Sequence, residues 1–139
     1  MTESEAKESG LWLADHCDIA MLGTVDRKGG PAIKAMLKME NEGLRTVWFT
    51  TNTSSRRVAR LREDARACVY FVDDQEFKGL MLQGTVEILQ DPESRRRVWR
   101  QGFEIYYPKG IADPDYSVLR FTANRGNYYH QLENRDFDL

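Results

Sequence analysis

The stretch "FKGLMLQGTVEILQ", Phe77–Gln90, is long, strand-like and contains two glycines. Leu80, Leu82 and Val86 share one face at period two, and Gln83 points to the other. Gly inside a strand pattern often marks a bend or a bulge. A long, bent strand among antiparallel neighbours is what closing a sheet into a barrel needs.

Its neighbours support such a sheet. "ACVYFVD", Ala67–Asp73, is nearly all apolar, so both of its faces should be covered. Further back, "DIAMLGTVD" (Asp18–Asp26) and "PAIKAMLKME" (Pro31–Glu40) read as a hairpin across the turn signal "RKGG". "NEG" at 41–43 is another turn, and "LRTVWFTT", Leu44–Thr51, a further strand. Residues 3–16 predict a helix. After the long strand, Asp91 and Pro92 open a helix in "PESRRRVWRQGFEIYY". Its basic run, Arg95–Arg100, reads as a wet face with Val98 and Trp99 turned inward. Tyr116–Ala123 and Asn127–Glu133 close the chain as strands. That makes about seven strands and three helices. Strands and crossover helices do not alternate, so a doubly wound parallel sheet is disfavoured. An antiparallel barrel is favoured, with an open antiparallel sheet packed on helices as the alternative. Residues 1–139 read as one domain.

Composition restricts the function classes. The chain is 41% hydrophobic and 30% charged, with a net charge of −2. This is globular, with no global bias toward nucleic acid or anionic membrane. No apolar run approaches the roughly 20 residues of a spanning helix. The opening "MTESEAKESG" is acidic and polar, unlike a signal peptide. Cys17 and Cys68 stand apart without a CxxC pattern, which fits a reducing cytoplasm. His16 and His130 lack metal-ligand spacing.

"TTNTSSRRVARL", Thr50–Leu61, carries the chemistry. It reads as a strand end, a hydroxyl-rich turn and a helix start, with Thr53 or Ser54 as N-cap. Arg56 and Arg57 then sit where the helix dipole disfavours cations. A dianion reverses that conflict. Free backbone N–H groups, hydroxyls and two planar guanidinium forks together suit a phosphate. The competing reading is a solvated basic face.

In the order and spacing of these pieces, the chain resembles the pyridoxamine 5′-phosphate oxidase-like flavin-binding proteins, in particular their small general-stress branch. The resemblance runs from "MLGTVDRKGGP" through "VWFTT", "SSRRVARLRED" and "ACVYFVD" to "GLMLQGTVEIL", with an echo in "DPDYSVLRF". It implies a split β-barrel that binds FMN. By this resemblance Thr51, Ser55, Arg56 and Arg57 hold the cofactor phosphate, and Thr50 adds a hydroxyl beside them as a further cofactor-binding candidate. Lys34, Met36 and Leu37 line the flavin ring, and Gln83 bonds the cofactor. Lys34 stands where the family often carries Arg, and Arg57 where it often carries Lys. The acidic end "QLENRDFDL" lacks the basic and aromatic segment of the true vitamin B6 oxidases.

The resemblance further implies a homodimer with flavin sites at the interface and a small-molecule redox substrate. Neither nucleic acid nor a membrane is an expected partner. Tyr106 and Tyr107 could pack in the core, line the interface or approach the flavin, and with Trp99 they are the candidates for reaching the flavin of a partner chain. The expected function is an FMN-dependent oxidoreductase. The alternatives are a non-catalytic flavin-binding stress protein and a relative that binds haem or a deazaflavin.

Overall fold

A computed structural model describes all of residues 1–139. Helix α1 (Glu3–His16) starts at a capping box, with Thr2 and Glu5 each bonding the other's backbone N–H. Strands β1 (Ile19–Val25) and β2 (Pro31–Leu37) form the expected hairpin. Its turn is tied by Asp26 Oδ1, which accepts from the N–H of Lys28 and of Gly30. Then follow β3 (Glu40–Glu42), β4 (Thr46–Asn52), α2 (Arg56–Glu63), β5 (Arg66–Asp73) and β6 (Lys78–Leu89). The chain closes with α3 (Pro92–Val98), a 3-10 turn at Phe103–Ile105, β7 (Tyr116–His130) and β8 (Glu133–Asp138).

The strands pair antiparallel in the order β2-β1-β5-β6-β7-β4-β3, and β8 adds to β7. β6 pairs along most of β7, while the other edge of β7 is shared. Residues 116–122 pair with β4 and residues 125–130 with β8. This curled, incompletely closed sheet is a split barrel, as expected. The barrel interior holds Leu22, Phe49, Val69, Phe71, Leu82 and Phe121, all essentially inaccessible. α1 closes over β5–β8, and α2 packs on β1 and β6.

Three expectations on strand boundaries are corrected. The predicted strand Pro31–Glu40 is divided: β2 ends at Leu37, and β3 pairs with β4 instead of β1. At the break, the Lys38 ammonium donates to Ala14 O and to Asn41 Oδ1, fastening the corner to α1. The two predicted C-terminal strands are one, β7, interrupted by a bulge. Gln83 pairs with Arg125 and Gly84 with Ala123, so Asn124 is the extra residue. The last strand lies further on, at 133–138.

A second cluster lies on the other side of β4 and β7. There Trp48, Tyr116 and Val118 pack against Val98, Phe103 and Tyr107. The helix predicted to continue through Tyr107 stops at Val98, where the chain turns to lay Phe103 and Tyr107 onto the sheet. The basic run is only partly a wet face. Arg95 donates to the carbonyls of Ile111, Asp113 and Tyr116, and Arg97 pairs with Glu40. No helix is long and apolar enough to cross a membrane.

Candidate functional site

The N-cap of α2 is Ser55, one residue beyond the expected positions. Its Oγ accepts from the N–H of Val58 at 3.3 Å. Thr53 and Ser54 are occupied elsewhere. The Thr53 hydroxyl lies 2.7 Å from Ser117 Oγ, and the Asp115 carboxylate accepts from Ser54 N and Oγ and from Asn52 Nδ2. These bonds hold the turn between β4 and α2 against the start of β7.

They also hold the Asp115 carboxyl below its ordinary value of 3.8, the Asn52 side chain first and the Ser54 amide next. A group depressed on folding stabilises fully above its unfolded value, and that contribution is lost as pH falls through the folded value. Asp115→Asn is therefore expected to flatten the decline of Tm on acidification below about pH 4, read by thermal melts across pH. A decline as steep as that of the wild type would contradict it.

At the cradle itself, Arg57 Nη1 donates to Thr51 Oγ1 at 2.6 Å, and Thr51 Oγ1 lies 3.3 Å from Ser55 Oγ. Thr51 is buried, so it can orient the guanidinium at the helix terminus. The first turn of α2 contains no acid. Arg56, Arg57 and Arg60 form no ion pair. Burial, followed by the neighbouring Arg60 charge, pushes the Arg57 guanidinium below its ordinary value. A half-buried cation without a counter-ion, beside the free N–H groups of a helix start, is a ready anion site.

A cavity of about 410 Å³ opens there, lined among others by Lys34, Ser55, Arg56, Arg57 and Arg60. Lys34 reaches it from β2, whose position at the end of the strand order leaves one backbone edge unpaired. A larger depression of about 890 Å³ lies on the outer face, where Gln83 and Cys68 point. The two depressions share Thr24 and Ile33.

The sequence-derived residues thus separate into groups. Thr51, Ser55, Arg56, Arg57 and Lys34 converge. Gln83 lies across the sheet: its neighbours in register are Cys68 and Gly23, whereas Lys34 is opposite the inward Leu22. Thr50 is on the face of β4 opposite Thr51 and approaches Tyr107. Met36 is buried in the barrel core, and Leu37 is exposed on the outer face. Tyr107 and Trp99 belong to the second cluster, while Tyr106 is exposed. Arg60, outside the sequence-derived set, also lines the cavity. Its signal was the four-residue spacing from Arg56, which puts both on one helix face.

The fold and this cradle define a split β-barrel with a basic, oxyanion-ready helix terminus. The chain belongs to the pyridoxamine 5′-phosphate oxidase-like family, whose sequence profile matches residues 6–136. It is 48% identical to a Clostridium acetobutylicum protein described as related to general stress protein 26 of B. subtilis, of the pyridoxinephosphate oxidase family. That likeness covers 100% of this chain and 97% of the other, with a TM-score of 0.87. General stress protein 26 from Bacillus anthracis is 15% identical over 100% of both chains, with a TM-score of 0.78. A haem-binding protein from Mycobacterium smegmatis is 17% identical, over 99% of this chain and 59% of that one, at a TM-score of 0.77. The last two likenesses concern the fold alone. None of the curated proteins compared matches the chain.

Proposed function

We propose that the protein binds FMN as a homodimer and acts as an oxidoreductase on a small molecule. The observation that carries this reading is the set of arginines at α2, with Arg57 half-buried, oriented by Thr51 and lacking any carboxylate partner. The residues fit the group: hydroxyls, first-turn N–H groups and guanidinium forks are the donors a phosphate monoester takes. Bound FMN supplies hydride or electron transfer. Arg57 and Arg56 neutralise the phosphate, and Ser55 and Thr51 offer hydroxyls to it. The unpaired edge of β2 presents backbone groups, and Lys34 adds a positive charge beside them. Gln83 offers an amide from the adjoining depression.

The outer face of β2-β1-β5 supports the dimer. Ile33 is 70% exposed, Leu37 50%, Ile19 48% and Val72 44%, and these side chains share one face. Exposed apolar surface of this kind is a common signature of interaction sites, which supports the homodimer reading. A second copy seated there would also keep water from the larger depression.

Titration of the apoprotein with FMN, followed by flavin fluorescence quenching, is expected to give saturable binding. Its absence at about tens of micromolar would refute the flavin reading, since the charge-assisted contacts described imply tighter binding. The visible spectrum of the purified protein distinguishes a flavin from haem. Steady oxidation of reduced nicotinamide by the FMN-loaded protein separates an oxidoreductase from a flavin-binding stress protein. Light scattering should give about twice the mass of one chain. Val72→Glu, which buries a charge in the contact, should shift the protein to monomer. A wild-type monomer with FMN bound would contradict the shared interface.

A further inference from the structure

Arg60 lies one helical turn beyond Arg56 on the same face of α2 and lines the cradle cavity. The cavity is bordered by four cationic side chains, Lys34, Arg56, Arg57 and Arg60, and by no acid. The acids near the end of α2 are turned elsewhere: Glu63 pairs with Arg27, and Asp64 with Arg66. A phosphate monoester brings about two negative charges at most. With that group seated on Arg56 and Arg57, two cations remain unbalanced, Arg60 half-buried on the helix and Lys34 exposed at the rim. The Arg60 charge is close enough to depress the Arg57 guanidinium. Such a concentration of like charge is tolerated most readily when the occupant brings matching anions.

We propose that the cavity takes a second oxyanion, a carboxylate or phosphate group of the substrate or electron donor, held by Arg60 together with Lys34. This rests on the flavin reading only in assigning the first oxyanion to the FMN phosphate. The consequence is a preference for anionic small molecules, strongest at low ionic strength because the site's field is screened by salt.

The test uses FMN-saturated full-length protein titrated with inorganic pyrophosphate by calorimetry at low ionic strength. One saturable site per chain is expected. Arg60→Gln should weaken pyrophosphate binding about tenfold or more and weaken FMN binding several-fold less than Arg57→Ala does. Arg60→Lys, which keeps the charge, should retain most of the pyrophosphate affinity. Absence of a site on the FMN-loaded wild type would overturn the proposal. So would an Arg60→Gln variant that loses FMN as severely as Arg57→Ala. FAD in place of FMN examines the other source of a second phosphate. An Arg60-dependent preference for FAD would assign that group to the cofactor and overturn the substrate assignment. If the wild type binds no FMN, the flavin reading alone fails. The apoprotein then decides this proposal, since pyrophosphate must still bind and must bind more weakly to Arg60→Gln.

Discussion

Arg57→Ala is expected to weaken FMN binding about ten- to 150-fold and to leave riboflavin binding nearly unchanged. The first figure follows from one charged hydrogen bond, worth about 1.5–3 kcal/mol. The second follows because riboflavin has the same ring and no phosphate. Thr51 holds the guanidinium in place before any ligand arrives, so little ordering cost opposes the contact. The apoprotein should keep its stability or gain slightly, since a half-buried cation leaves the positive end of a helix. Dissociation constants of both ligands for both proteins check this. Equal losses for FMN and riboflavin would mean general damage. Equal affinities in mutant and wild type would make Arg57 an ordinary surface residue.

Gly84→Val is expected to destabilise the fold by about 3 kcal/mol or more, the upper end for overpacking. A Cβ built on Gly84 would meet the carbonyl oxygen of Thr122 at 1.9 Å. The obstacle is backbone, so no rotamer change relieves it. Relief requires β6 and β7 to part beside the bulge, where each strand also carries buried core residues. Urea denaturation should show the loss in the midpoint. Gly29→Ala provides the comparison. Nothing lies within 4 Å of its added Cβ, but its φ of +79° is unfavourable for alanine, so about 1 kcal/mol should be lost. A Gly84 variant no less stable than the Gly29 variant would contradict the close approach.

The long glycine-bearing strand was legible because its apolar residues keep period two from Leu80 to Val86. Its glycine signal also pointed to a real irregularity, the bulge beside Gly84. The same bulge concealed the length of β7. Leu119, Phe121 and Ala123 face the barrel, and beyond Asn124 the inward set becomes Gly126 and Tyr128. In sequence that change of phase looks like two strands with a gap. The cradle was legible where chemistry is local: Thr51, Ser55, Arg56 and Arg57 lie within seven residues. The N-cap was misplaced because Thr53 and Ser54 find partners around residue 115, about 60 positions away. No local pattern reports such contacts. The same holds for Lys34 and Gln83, whose faces depend on the order in which the strands pair.

The small cluster around Trp48 and Tyr116 divides the molecule into regions of unequal cohesion. The barrel core contains 20 buried residues and this satellite only 6, with α3 and the segment to Asp115 draped over it. Segments resting on few buried contacts open at lower free energy than the main core. Amides of residues 99–111 should therefore exchange with solvent faster than those of β5 and β6. The satellite also touches the turn before α2, through Asn52 on the Tyr106 carbonyl and Tyr107 beside Thr50. A ligand that orders this turn should slow exchange in residues 103–107, which lie outside the cradle cavity. Escape of a bound molecule would then depend partly on how often a peripheral segment lifts from the sheet, rather than on the strength of its direct contacts alone.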